Sequence, residues 1–333
     1  MFRGNKYAVS WLLLLGLSFS IVSSPAATLP PMFEDRTVLD NLQDPAGIRF
    51  TPDGARLFIG ERITGQLRVA TFNPTNSLWE LLPTPFATLN VPSTRHRSAG
   101  LRGFTFDPDF ASNGYVYVFY MQDNPRHNRV SRLQADPGNR DIMLGGSELV
   151  LIDLPFNTSA SSGSHNGGDM EFGADGMLYI STGDGWNGGD AVQSLSTFTG
   201  KMIRIGPDGT IPTNNPFYAT ASGMYRAIYA LGLRNPYSMS YHAELGSVFV
   251  NDAVGSNKDV VFQVMAGANY GHQGSGGGGI PTAEWARVGG SGMILVTGGA
   301  WYPSLPPSPR PFRAAYHGSY LVALWGSNGA GSG

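Results

Sequence analysis

The sequence predicts an all-β fold made of repeated four-stranded antiparallel modules, the arrangement of a β-propeller. Three observations indicate this fold: a strand–turn–strand unit recurs along the chain, glycine and proline are abundant at 45 and 23 residues, and no long window has a helical period. Apolar and aromatic residues, at 41% and 11%, exclude simple disorder. The chain is therefore expected to consist of many short strands joined by tight turns.

The repeated unit is an apolar strand, an Asp-Gly or Asn-Gly type of turn and a second, more hydrophobic strand. Its copies occupy residues 46–62, 101–121, 167–185 and 234–253, with a weaker fifth at 312–326. Another strand pair follows several copies, in GQLRVATFNP, RVSRLQADP and GKMIRIGPDG, so each module holds about four strands. The strand YVYVFY is apolar on both faces, as expected of strands packed between neighbouring blades. The alternative architecture is a pair of β-sandwiches.

The N-terminus has the order of a secretory signal peptide. Basic residues precede an apolar run at 9–22, and the small-residue segment Ser-Ser-Pro-Ala-Ala follows it. We expect residues 1–27 to be a cleaved signal and residues 28–333 to form one domain, exported to the periplasm or the extracellular space without a membrane span. A membrane anchor is the alternative, but the run is shorter than the roughly 20 residues that a spanning helix needs.

Composition excludes several classes of function. Cysteine is absent, which removes disulfides, thiol catalysis, zinc-thiolate sites and iron-sulfur clusters. The formal net charge of -2, with 14% charged residues, argues against nucleic-acid binding, which requires a basic surface.

A histidine and an aspartate flank one predicted strand pair. His165 precedes its first strand and Asp184 follows its second. Because the two ends of a hairpin lie side by side, we expect a carboxylate to hold the imidazole in one tautomer, as abstraction of a hydroxyl proton requires. The alternative is structural: His165 would be a turn residue, and Asp184 part of an Asx turn in a Gly-rich loop.

An arginine begins the fourth repeat, where the first strands of blades gather around a propeller's central channel. Arg234 lies in the segment LGLRNP. Its guanidinium could hold a carboxylate or stabilise a developing oxyanion. An ion pair with a neighbouring blade is the equally open alternative.

Five sequence blocks resemble, in matching order, the soluble glucose/sorbosone dehydrogenase family. They are GLRGFTFDPDFASNGYVYVFY, SHNGGDMEFGADGMLYISTGDG, TGKMIRIGPDGTIPTNNPF, YALGLRNPYSMSY and AGANYGH. The resemblance covers about residues 35 to 325. It implies a six-bladed propeller that carries pyrroloquinoline quinone (PQQ) and calcium on its top face. It also implies oxidation of the anomeric carbon of aldose sugars to lactones, with electrons passed to an external acceptor.

The resemblance also implies roles for individual residues. His165 matches the family's general base, Asp184 the carboxylate that orients it, and Arg234 the arginine beside the quinone carbonyl. His165, Arg234 and Asn235 would contact the cofactor. Backbone carbonyls at about Val254 and Gly255 would hold the calcium ion, which polarises the acceptor carbonyl.

The chain departs from the family pattern at three places within the site. Val254-Gly255 replaces a common Gly-Pro, which carbonyl ligation tolerates. Asp259-Val260-Val261-Phe262 replaces an Asp-Glu-x-Asn run, which removes polar side chains that usually brace the loop. A cofactor-binding glutamine expected soon after Asp184 is not evident.

The C-terminal strand YLVALWGSNGAGSG lacks the lysine and arginines that the family directs at the cofactor's carboxylates. At about 1.5 to 3 kcal/mol per charged hydrogen bond, PQQ binding is expected to be weaker by several kcal/mol. The last blade is expected to be incomplete, with the ring open or closed by N-terminal strands such as one around 37–42.

Three functions are compatible with these observations. The first is a PQQ-dependent aldose dehydrogenase. The second is a non-catalytic propeller that binds carbohydrate or a protein and retains the fold without the full cofactor site. The third is a metal-assisted lactone hydrolase, for which the plausible donors are Asp184, Asn187, Asp190 and Asp252. Binding of PQQ and calcium discriminates the first from the others.

Overall fold

The computed structural model describes residues 36–92, 98–123, 125–155, 164–186, 189–254, 258–272, 283–286, 294–302, 304 and 317–326. The predicted signal peptide at 1–27 and the predicted calcium ligand Gly255 lie outside these residues. Within the described residues, no helix is long and apolar enough to cross a membrane.

The described strands form five antiparallel sheets. The first contains β1 (Pro45–Phe50), β2 (Arg56–Glu61), β3 (Gln66–Asn73) and β4 (Leu78–Leu81), with β5 (Ala87–Thr88) paired to β3. The second contains β6 (Leu101–Phe106), β7 (Tyr115–Asp123), β8 (Arg126–Asp136), β9 (Asn139–Met143) and β10 (Leu149–Pro155), where β9 and β10 both pair with β8.

The remaining sheets follow in chain order. The third contains β11 (Gly167–Phe172), β12 (Leu178–Thr182), β13 (Lys201–Ile205) and β14 (Ile228–Leu231). The fourth contains β15 (Pro236–His242), β16 (Ser247–Asp252), β17 (Lys258–Gln263) and β18 (Ala283–Ala286). The fifth pairs β19 (Ile294–Trp301) with β20 (Tyr320–Gly326). The described helices are α1 (Phe110–Asn113) and two 3₁₀ helices, Gly189–Gln193 and Gly223–Ala227.

The first strand of each sheet lies innermost. Strand β6 contacts β1 and β11, and β15 contacts β11 and β19, so these five strands surround a common centre. This arrangement is a β-propeller, which confirms the all-β prediction and makes the paired β-sandwich wrong. The described residues form four sheets with at least four strands and one with two. The count of six blades therefore stays a prediction.

The N-terminal segment at 37–42 does not close the ring as a strand. It contains no strand, and Asn41 has a positive φ of 58°, which breaks an extended backbone. Leu39 and Leu42 instead pack against a small cluster that contains Leu57 and Ile59 of β2. The predicted closing strand is wrong at this position.

Strand β7 shows how the sheets stack. Val116, Val118 and Tyr120 belong to a core shared with the first sheet, while Tyr117 and Phe119 face a core shared with the third. All five side chains are at most 2% exposed. The predicted burial of both faces of this strand is confirmed, because each sheet is covered by a neighbour on either side.

The five inner strands enclose a cavity of about 730 Å³, the central channel. An ion cluster crosses it: Arg49 of β1 donates through Nη1 to Glu171 Oε2 at 2.7 Å and through Nη2 to Asp169 Oδ1 at 3.1 Å. The other oxygen of Asp169 accepts the backbone N–H of Met239 at 2.7 Å. Burial raises the pKa of Glu171, and Arg49 opposes this rise.

Candidate active site

The candidate site is built where three chain segments meet the inner strands. His165 lies just before β11, Asp184 just after β12, and Arg234 just before β15. Backbone hydrogen bonds join the segments, because Gly185 N donates to His165 O at 3.2 Å and Asp184 N donates to Arg234 O at 2.6 Å. The residues that the sequence singled out therefore lie together.

His165 and Asp184 form the predicted contact, with 2.7 Å between Nδ1 and Oδ1. Their proximity follows from the antiparallel pairing of Gly167 with Thr182, which sets the preceding and following residues side by side. His165 has a positive φ of 52° and is 8% exposed. Gly183 permits the approach, since a Cβ there would lie 1.9 Å from His165 O.

Asp184 is held by three donors. Besides His165, its Oδ1 accepts the N–H of Trp186 at 2.8 Å, and its Oδ2 contacts Nε2 of His272 at 2.8 Å. Burial raises the pKa of Asp184, but the hydrogen bonds from the two histidines outweigh it, so the pKa is lowered overall. The carboxylate is thus ionised at neutral pH and accepts from both rings, which places a proton on Nδ1 of His165 and makes Nε2 the acceptor nitrogen of the neutral ring.

His272 is a site residue that was not predicted from the sequence. It lies 88 residues from Asp184 along the chain and ends the block AGANYGH. Backbone contacts bring it in, because Tyr270 N donates to Leu231 O and His272 N donates to Gly232 O, both at 2.9 Å. The only signal in the sequence was the position of His272 inside a matching block.

Arg234 and Asn235 are fixed by one buried carboxylate. Their backbone N–H groups donate to the two oxygens of Asp252, at 3.0 and 2.6 Å. Burial raises the pKa of Asp252 to about 6, although both hydrogen bonds oppose this rise. The Arg234 guanidinium donates through Nη1 to Ala253 O at 2.6 Å. It makes no ion pair with any described carboxylate, so the ion pair between blades is not observed.

Of the two predicted calcium ligands, Val254 lies within the described residues. Val254 packs against an apolar cluster, and the preceding carbonyl, Ala253 O, already accepts from Arg234. Within the described ranges, no three His, Asp or Glu side chains are placed to hold a metal ion. Calcium ligation by Val254 and Gly255 stays a prediction.

Trp186 is a second site residue that was not predicted from the sequence. Its ring centroid lies 4.7 Å from that of His165, while the side chain is 59% exposed. A large exposed aromatic beside the candidate base offers a platform for a ligand that covers His165. Its place directly after Gly185 is the only sequence signal.

Comparison with known proteins gives the family. A model of the Glucose / Sorbosone dehydrogenase family matches residues 42–278. Quinoprotein glucose dehydrogenase B of Acinetobacter calcoaceticus is 26% identical over 264 residues, which are 72% of this chain and 52% of that protein. Human Hedgehog-interacting protein is 25% identical over 269 residues, 70% of this chain and 36% of that protein. The chain thus spans about half or less of these two curated relatives.

A solved structure gives the same result. The PQQ-bound aldose sugar dehydrogenase of Streptomyces coelicolor superposes with a TM-score of 0.63 at 25% identity, over 80% of this chain and 74% of that one. The family match covers well over half of the sequence. The chain belongs to the glucose/sorbosone dehydrogenase family.

Proposed function

We propose that this protein is a PQQ-dependent dehydrogenase that oxidises the anomeric carbon of aldose sugars to the lactone. The observation that carries the proposal is the His165–Asp184 pair beside Arg234. The pair provides a base held in one tautomer, and Arg234 provides a cation in the same site. The predicted signal peptide would place the activity outside the cytoplasm.

The residues fit the two demands of this reaction. Nε2 of His165 has no hydrogen-bond partner among the described residues, so it can accept the proton of the sugar's anomeric hydroxyl. The ionised Asp184 then stabilises the imidazolium that forms. Arg234 uses only Nη1 in a described contact, so its other N–H groups can face negative charge on a bound quinone.

His165, Arg234 and Asn235 would hold PQQ, whose chemistry is to accept the hydride that leaves the anomeric carbon. The protein's own residues remove the hydroxyl proton, orient the base and offset developing charge. Trp186 would cover the sugar bound at His165 and exclude water from it.

The test is reconstitution of the protein from residue 28 onward. PQQ is titrated with and without calcium while cofactor absorbance and reduction of an artificial electron acceptor by glucose are followed. We expect saturable binding and glucose-dependent turnover. A folded protein that binds PQQ without oxidising any of a panel of aldoses would contradict the proposal, as would one that does not bind PQQ.

The second candidate is a binding propeller, and one comparison favours it. Hedgehog-interacting protein, whose name describes binding to a protein, matches over 70% of this chain. A folded protein without PQQ binding that retains affinity for a carbohydrate or a protein ligand would establish this function instead.

Replacing Trp186 by alanine is expected to raise KM for the sugar about fivefold to tenfold and to change kcat less. Loss of the aromatic face removes a contact made equally in the ground and transition states. Steady-state kinetics at saturating PQQ measure the effect. An unchanged KM would remove Trp186 from the sugar site, and Trp79→Ala, on an outer strand, serves as the control.

Replacing His272 by leucine is expected to lower kcat/KM about tenfold. In this variant Asp184, the carboxylate that orients His165, loses one of its three hydrogen-bond contacts. Steady-state kinetics at saturating PQQ measure the effect. An unchanged kcat/KM would show that Asp184 orients His165 without His272.

A further inference from the structure

Arg102 is a buried arginine that forms no ion pair with any described residue. It lies on inner strand β6 and is 7% exposed. Its Nε donates to Gly167 O at 3.3 Å, and its Cζ lies 4.9 Å from the centre of the Tyr237 ring. Among the described residues, no carboxylate lies within ion-pair distance of Arg102, and no acceptor contacts its two Nη groups. A buried cation in this state is costly unless an anion joins it.

The central channel provides the space for such an anion. Arg102 and Tyr237 both line its cavity of about 730 Å³. The two carboxylates of the same cavity, Asp169 and Glu171, are already bound by Arg49 at 3.1 and 2.7 Å. Among the described residues, the cavity therefore contains one arginine paired with carboxylates, Arg49, and one arginine without a carboxylate partner, Arg102.

We propose that the central channel binds a carboxylate anion, with Arg102 as its cation. The Nε–Gly167 contact and the Tyr237 ring fix the guanidinium plane. Neither contact uses the edge formed by the two Nη groups. The parallel N–H donors of this edge match the two oxygens of a carboxylate. The proposal goes beyond the dehydrogenase activity and does not depend on it, since the anion site needs neither PQQ nor a sugar.

The site adjoins the candidate active site. Gly167, which accepts from Arg102, is two residues beyond His165 in the chain, and a Cβ on Gly168 would lie 2.7 Å from Arg102 Cβ. Two sources of a carboxylate fit this position: a carboxylate of a cofactor bound above, or a free small carboxylate in the channel. Both share the same recognition by the Nη edge.

Binding of acetate to the cofactor-free protein tests the proposal. The line width of the acetate methyl resonance is measured against protein concentration, with excess formate as competitor. For the wild type we expect a broadening of the acetate resonance that formate reverses. The control variant Arg140→Leu, which removes an arginine of outer strand β9, should show the same broadening. Arg102→Leu should abolish the broadening. A wild type without specific broadening, or a folded Arg102→Leu that still broadens acetate, overturns the proposal.

Arg102→Lys keeps the test decisive if the leucine variant does not fold. Lysine retains the charge but not the paired donors, so acetate affinity should fall about tenfold, and an unchanged affinity would overturn the proposal. Addition of PQQ separates the two sources. Displacement of acetate by PQQ assigns the site to a cofactor carboxylate, whereas acetate that stays bound assigns it to a free carboxylate.

Discussion

Replacing His165 by alanine should lower kcat about a thousandfold, because a positioned base contributes on the order of a hundredfold to ten-thousandfold. Asp184 lies 2.7 Å from Nδ1 of His165, so the ionised carboxylate holds the ring in the tautomer whose Nε2 can accept a proton. PQQ affinity should change much less, since Arg234 remains. Single-turnover reduction of bound PQQ by glucose measures the chemical step directly.

His127 provides the matched control. It also contacts a carboxylate, with 3.0 Å between Nε2 and Asp153 Oδ1, but lies on β8 away from the inner strands. His127→Ala should leave kcat within a few-fold of the wild type. Asp184→Asn should reproduce much of the His165→Ala defect, because the amide no longer fixes the tautomer. Wild-type turnover in His165→Ala would assign the proton transfer to another group.

Replacing Arg49 by methionine should lower the free energy of unfolding by about 3 kcal/mol at pH 7, because removal of one partner leaves buried charges uncompensated. Both Asp169 and Glu171 would lose their cation in a cavity where their side chains are only 16% exposed. Denaturant unfolding followed by tryptophan fluorescence measures the difference.

Arg56→Met is the control for this experiment. Arg56 forms an ion pair with Asp141 at the outer part of the first two sheets, where such pairs contribute about 1 kcal/mol or less. The Arg49 defect should also shrink between pH 7 and pH 5. Burial raises the pKa of Glu171, and Arg49 opposes this rise, so the pKa should be higher still in the variant. Glu171 then binds a proton more readily in the folded state than in the unfolded state, and lower pH therefore stabilises the folded variant. An equal loss in both variants would assign the effect to lost packing.

The repeated strands could be predicted because their pattern is local. The alternation in β7 depends only on neighbours in sequence, and the structure buries both of its faces. The conformation of residues 37–42 does not follow from the local strand pattern. A positive φ at Asn41 interrupts the extended backbone, and the segment packs on β2 and does not pair as a strand. The number of blades depends on how far the ring continues, which strand patterns alone do not determine.

The candidate site divides in the same way. His165 and Asp184 could be paired because one hairpin joins them, with Gly167 opposite Thr182. His272 could not, since its contact with Asp184 spans 88 residues and depends on the loop after β17 returning to Leu231. Arg102 looked like one strand residue among many. Only the packed inner strands show that no carboxylate among the described residues forms an ion pair with its guanidinium.

The ion cluster of the central channel also bears on the order of folding. Arg49 lies 122 residues from Glu171 and 120 from Asp169, and it joins the first sheet to the third. Contacts of such long sequence separation form only after the intervening sheet has closed its own hairpins, and so belong to the late part of the reaction. Removing Arg49 should therefore accelerate unfolding while leaving the refolding rate nearly unchanged. The ion cluster therefore slows unfolding of the propeller and has little influence on its folding rate.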